Sequence, residues 1–173
     1  MSGIAIRTCV ETDVTQYIMP ISIAAYGEQF YETEDAFLSK IRATPGSCFI
    51  AYDSSTGRVV GYLVGVHASS SQFPKLNQQT YEAPSPAEFY YLHDICTVQD
   101  RVKGVGALLM NTAKQYAKSQ GFKKIVEISV NNSEAFARSH GCVRADPDAY
   151  GLREHLRSFG EDAILMEIDL TKE

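Results

Sequence analysis

Arg101-Val102-Lys103-Gly104-Val105-Gly106 lies between an apolar, β-branched run and an Ala/Leu-rich run. Such a chain must lead a strand into a glycine turn and then a helix. That geometry aims free backbone N–H groups and the positive end of the helix dipole at one point, which suits a phosphate. Phe89-Tyr90-Tyr91-Leu92-His93-Asp94-Ile95-Cys96-Thr97-Val98 reads as the strand, largely buried. The run 107–118 reads as the helix, with Leu109, Ala113, Tyr116 and Ala117 on its inner face and Asn111, Lys114 and Lys118 outside. Gly121 stops it after basic residues in the last turns. Glycine permits close approach to an anion, and Arg101 and Lys103 offer charge-assisted hydrogen bonds worth roughly 1.5–3 kcal/mol each. On spacing alone, the same turn is equally a bare strand-to-helix connection with solvated basic side chains. Two nucleotide readings fail. No Gly-x-x-x-x-Gly-Lys-Ser/Thr run exists, and Leu109 stands where a dinucleotide fingerprint needs its third glycine.

Around this unit, strands and helices alternate as in a mixed α/β layer. Strands are predicted at Ile4–Arg7, Cys48–Asp53, Val59–Gly65, Ile125–Val130 and Gly160–Ile168. Helices are predicted at Asp13–Tyr26 and Glu34–Arg42, the second capped by Thr33. Thr44–Ser47 reads as a turn and Ser54–Gly57 as a hairpin connection. After the second core strand, Asn132 or Ser133 is placed to cap a short helix carrying Ala135, Phe136 and Ala137 and ending near Gly141. Ala68–Glu88 breaks the rhythm with the run Ser69-Ser70-Ser71, three prolines and exposed-looking Phe73, Leu76 and Tyr81. A loop of this length is either functional or a disordered tether.

The 173 residues fit one domain spanning 1–173, long enough for its own core. A net charge of −5 argues against nucleic acid, whose phosphates require a basic face. No stretch reaches membrane-span length and the N-terminal run lacks a secretory pattern, so no membrane partner and a cytoplasmic location are expected. Cys9, Cys48, Cys96 and Cys142 have no metal-ligand spacing and read as buried free thiols, with no metal.

The pattern Arg-x-x-Gly-x-Gly at Arg101–Gly106 resembles the GNAT superfamily of acyl-CoA-dependent N-acetyltransferases, and the likeness extends from Ile4-Ala5-Ile6-Arg7 to the final strand 160–168. Leu92-His93-Asp94 resembles the arylalkylamine N-acetyltransferase subgroup, which carries histidine at the matching place. The resemblance implies a mixed central sheet with splayed middle strands flanked by helices. It also implies acetyl-CoA as co-substrate, with the pantetheine arm in the gap between strands 90–97 and 125–130. The cofactor-binding residues it implies are Ile95, Thr97, Arg101, Val102, Lys103, Gly104, Val105, Gly106, Ala107, Ser133 and Phe136. Three departures stand out: Val102 replaces a frequent glycine in a slightly shortened loop, Thr97 replaces a usual valine, and Ala137 replaces the tyrosine that protonates sulfur in many relatives.

Acetylation of an alkylamine requires removal of its ammonium proton, and a base within reach contributes about 10²–10⁴-fold. His93 and Asp94 are the candidates. Strand alternation sends adjacent side chains to opposite faces unless a bulge intervenes. His93 is chosen because imidazole titrates near neutrality and because the resembled subgroup has a catalytic histidine there. Tyr91 shares its face and offers a water relay, whereas Asp94 is free to hold a loop or helix N-terminus through backbone hydrogen bonds. A histidine in an apolar strand is also, taken alone, an ordinary core residue. A backbone N–H near Thr97 is the family's oxyanion donor, and water, Ser133 or Tyr150 remains to protonate the thiolate.

The expected activity is acetyl transfer from acetyl-CoA to a small primary amine, such as an arylalkylamine, polyamine or amino acid, by direct attack in a ternary complex. A peptide or protein N-terminus is also compatible. A non-catalytic acyl-CoA-binding or sensing domain is the alternative. Ala68–Glu88 and Pro147–Phe159 are the expected specificity loops, and Tyr26, Phe30 and Tyr31 line either an acceptor slot or the core. Monomer and homodimer stay equally open.

Overall fold

The Ser54–Gly57 turn closes a hairpin because the Asp53 carboxylate accepts from the Ser55 and Thr56 N–H groups at 2.8 and 3.2 Å. In the computed structural model, which describes residues 3–98 and 102–172, that hairpin joins β2 (Phe49–Asp53) to β3 (Val59–Ala68). β1 (Ile4–Thr8) pairs with β2, and β3 pairs with β4 (Phe89–Thr97), all antiparallel. β4 is followed by α3 (Val105–Ser119) and β5 (Lys124–Ser129), which lies parallel to β4, as a helical crossover requires. α4 (Glu134–Ser139), β6 (Val143–Arg144), α5 (Arg153–Arg157) and β7 (Ile164–Asp169) complete the chain. The described strands form one mixed sheet in the order β1-β2-β3-β4-β5-β7-β6. The short β6 and α5 carry too few periodic residues to be read from sequence.

The sheet opens in its middle. β4 and β5 share only three rungs, Tyr90–Ile125, Tyr91–Val126 and Leu92–Glu127. Beyond them β4 runs on to Thr97 and β5 to Ser129 without pairing to each other. On the other side of β4 the register slips, with Leu92 facing Gly65 and Asp94 facing Val64, so His93 is an extra residue that bulges the strand. A glycine is required beside this bulge. A Cβ on Gly65 would stand 1.9 Å from the Tyr90 hydroxyl, which crosses there to donate to the Ser47 carbonyl at 2.6 Å.

One face of the sheet is covered by α3, whose Leu109, Met110, Ala113 and Ala117 pack against Leu63, Tyr90 and Ile125. The other carries α1 (Met19–Tyr26) and α2 (Glu34–Ala43), with Ile18, Phe37 and Ile41 against Ile50, Tyr62 and Val64. Thr33 caps α2 as predicted, its hydroxyl accepting from the Ala36 N–H at 3.3 Å. The helix expected over 13–26 forms, but Val14–Ile18 winds as a π-turn in which the Met19 N–H reaches the Val14 carbonyl. Pro20, with no N–H to donate, accounts for the widened turn.

The segment between β3 and β4 packs as a loop, contrary to its exposed-looking apolar residues. Phe73 and Tyr81 are buried with Phe89 and Tyr91, and Leu76 is half-buried. The Tyr81 hydroxyl donates to the His67 carbonyl at 2.7 Å. All four cysteines are buried, and none is in a disulfide. Among the described residues, no helix is long and apolar enough to cross a membrane, and no group of three or more His, Cys, Asp or Glu side chains is placed to hold a metal.

Candidate active site

At the head of α3, Gly104 takes a left-handed conformation (φ 86°), and open space lies where its Cβ would be. The Leu108 N–H makes a bond to the Gly104 carbonyl at 3.0 Å, so the first-turn N–H groups face out of the helix end. Gly106 is needed for a different reason: a Cβ there would meet the Phe136 ring at 3.0 Å. Phe136, on α4, thus closes one side of this turn. Val102, Lys103 and Gly104 are exposed and Gly106 and Ala107 half-exposed, whereas Val105 is buried beneath them. Arg101 lies outside the described residues.

Where β4 and β5 part, a cavity of about 260 Å³ opens. Leu92, His93, Asp94 and Ile95 line it from β4, and Glu127, Ile128 and Ser129 from β5. Val130, Asn131, Ser133 and Phe136 continue the wall, and Tyr26, Phe30, Glu32, Leu76 and Phe159 close the far side. Simple alternation would part His93 from Asp94. The bulge overturns that expectation and brings both to the cavity.

The His93 side chain is only 2% exposed, with Nε2 2.5 Å from Glu32 Oε1. A carboxylate on Nε2 holds a proton there, so Nδ1 is the ring nitrogen left to take or release the second proton. Nδ1 is buried without a partner. Glu32 Oε2 accepts from the buried Lys40 ammonium at 2.6 Å and from the Asn77 N–H at 2.8 Å. One carboxylate therefore ties α2 and the 69–88 loop to the bulge. Burial pushes the Glu32 carboxyl upward, but the charges and hydrogen bonds of His93 and Lys40 outweigh it and hold the group at about 2.

Asp94 does not hold a backbone loop or helix end. Its carboxylate accepts from the Tyr62 hydroxyl at 2.5 Å and the Tyr26 hydroxyl at 2.8 Å. Burial raises its pKa, against the downward pull of those two hydroxyls and His93. Glu127 pairs across from Leu92 at the last rung before the splay. It is 7% exposed, and burial lifts its carboxyl to about 7 against a weaker opposing hydrogen bond from Cys142.

Ile95, Ser133 and Phe136 reach the cavity with His93 and Asp94, but other expected participants do not. Tyr91 lies beside His93, with ring centroids 5.5 Å apart; it is fully buried against Phe73, and its hydroxyl has no hydrogen-bond partner among the described residues. Tyr150 donates its hydroxyl to Glu167 beside Lys124, at the other end of β5, so it is not placed to protonate a thiolate in this cavity. Ser133 stands at the N-cap of α4 without capping it; its hydroxyl pairs with Ser129 at 2.7 Å. Thr97 is the exposed end of β4. Tyr26 and Phe30 line the cavity, whereas Tyr31 is 44% exposed and belongs to neither slot nor core. Glu32, Lys40, Tyr62 and Glu127 are additions. Only Glu127, a lone carboxylate in an apolar strand run, carried a readable signal.

The sequence profile of the acetyltransferase (GNAT) family matches residues 12–142. No curated protein matches by sequence. Among solved structures, Ard1 from Thermoplasma volcanium superposes with a TM-score of 0.70 at 19% identity, covering 96% of this chain and 97% of its own. The loading GNATL domain of CurA from Lyngbya majuscula gives 0.73 at 15% identity, over 99% and 100% of the two chains. N-acetylglutamate synthase from Neisseria gonorrhoeae, solved with coenzyme A and N-acetyl-glutamate, gives 0.68 at 16% identity over 98% of this chain and 36% of its own.

Proposed function

The chain belongs to the GNAT acetyltransferase family, and from that premise we propose that it moves an acetyl group from acetyl-CoA to a small primary amine by direct attack in a ternary complex. The observation that carries this reading is the pairing of a splayed β4–β5 cleft with the unpartnered Nδ1 of His93 at its wall.

The residues present fit the co-substrate. The open left-handed turn at Gly104 and the first-turn N–H groups of α3 would hold the diphosphate, with Lys103 adding charge. Beyond Leu92 the β5-facing side of β4 has no strand partner and offers its backbone groups to the amides of a pantetheine arm. Bound acetyl-CoA supplies an electrophilic thioester carbonyl. His93 Nδ1 takes the ammonium proton of the acceptor, and the Glu32 carboxylate on Nε2 fixes the tautomer and stabilises the imidazolium that forms. Asp94, with its two tyrosine hydroxyls, presents negative charge toward the incoming ammonium. Of the hydroxyls considered for returning a proton to sulfur, Ser133 lines the cavity and Tyr150 does not.

A buried Ala137 in place of a proton donor favours the second reading, an acyl-CoA-binding or sensing domain without turnover. Release of free thiol with an amine panel decides between them. His93→Ala should lower kcat at least about tenfold with acetyl-CoA affinity by calorimetry nearly unchanged. Cofactor binding with no turnover of any amine supports the sensing domain. An unchanged His93→Ala rate between pH 6 and 9 removes His93 from the mechanism.

A further inference from the structure

We infer that the acceptor is a small cation that carries no carboxylate, so that free amino acids are rejected at this site. This rests on the acetyltransferase reading above and narrows it. The cavity wall holds three carboxyl side chains, Glu32, Asp94 and Glu127, and no lysine or arginine among the described residues that line it. Lys40, the buried cation behind Glu32, is already ion-paired to it at 2.6 Å and does not reach the wall. An incoming carboxylate would therefore lose its water and find no free cationic partner, only carboxyl groups and apolar wall.

The local dipoles point the same way. α1 ends at Tyr26, which lines the cavity, so the negative end of that helix is turned toward it. α4 begins near Ser133, but it is six residues long and carries Glu134 in its first turn. The wall holds groups that suit an ammonium: His93 Nδ1 is buried and lacks a partner, Asp94 is adjacent, and the aromatic side chains of Tyr26 and Phe30 line the same cavity. Leu76 and Phe159 leave the remaining wall apolar. The cavity of about 260 Å³ must also admit the thioester end of the pantetheine arm in the β4–β5 cleft, which limits the acceptor to a compact body.

The test uses matched pairs that differ by one carboxylate: tyramine and tyrosine, phenethylamine and phenylalanine, histamine and histidine, cadaverine and lysine. Thiol release and product mass are followed with the full chain, and the methyl esters of the same amino acids control for bulk. For each pair that turns over, kcat/KM should favour the amine at least about a hundredfold, with the ester resembling the amine. Asp94→Asn should narrow that ratio. Acids used within about tenfold of their amines overturn this inference and leave the acetyltransferase reading standing. No turnover of any pair, with acetyl-CoA still bound in calorimetry, overturns the acetyltransferase reading and this inference with it.

Discussion

Replacing Glu32 by Gln tests the buried chain Lys40–Glu32–His93 from two directions. The Lys40 and Glu32 side chains are 0% and 3% exposed, and removing one member of such a pair strands a buried charge at a cost of about 3–5 kcal/mol. The carboxyl itself points the same way: although burial pushes it upward, its partners hold it well below its usual 4.5, so the ionised group stabilises the fold. Because the folded value is lowered, that contribution is present in full above the unfolded carboxylate range and is lost as pH falls from about 4.5 toward about 2. Glu32→Gln should therefore lower the melting midpoint by roughly 10 °C at pH 7. Adding Lys40→Met removes the stranded ammonium and should recover most of that loss. The double variant then isolates catalysis: kcat should stay at least about tenfold down, because nothing fixes the His93 tautomer, and a further His93→Ala change should add little. Urea and thermal melts with thiol-release kinetics give all the terms. A Glu32→Gln loss below about 1 kcal/mol refutes the burial reasoning. A double variant with full kcat refutes the positioning role.

Glu127 carries the opposite sign. Burial raises its carboxyl from 4.5 to about 7, so the fold favours the protonated form and stability should fall by about 3 kcal/mol as pH rises across that window. Glu127→Gln should abolish that slope and be the more stable protein at pH 8; parallel stability–pH curves for the two proteins would refute the assignment. Gly65→Ala places a Cβ 1.9 Å from the Tyr90 hydroxyl and should cost about 1–3 kcal/mol of overpacking, read from the urea midpoint. An unchanged midpoint would show that Tyr90 is free to move and does not need its bond to Ser47.

Much of the architecture was legible because its signals are local. The Thr33 cap, the Ser54–Gly57 turn and the amphipathic run ending at Gly121 depend on residues a few positions apart. The glycine turn was read for the same reason, and the geometry adds distinct needs: Gly104 for its left-handed backbone, Gly106 for the Phe136 ring. Phe73 and Tyr81 were misread as exposed because burial in an irregular segment leaves no periodic trace; they reach the core only by folding over β4. Glu32 was invisible for a similar reason. Its partners stand 8, 45 and 61 positions away, and no local pattern relates such distances.

The His93 bulge shows where reading a strand by alternation fails. Alternation assigns His93 and Asp94 to opposite faces, and the remainder of β4 obeys it: Tyr90 and Leu92 pack toward α3, and Tyr91 packs the other way. One extra residue on β4 shifts the phase by one step, so Asp94 joins His93 on the acceptor side while Ile95 returns to the α3 side. The same residue coincides with the end of β4–β5 pairing one position earlier, at Leu92. A strand that kinks there cannot keep its parallel partner in register, so the cleft and the placement of His93 beside Asp94 arise from a single backbone irregularity. Two neighbouring polar side chains in an otherwise apolar strand were its only trace in the sequence, because nothing else in the run 89–98 requires both faces to meet one cavity.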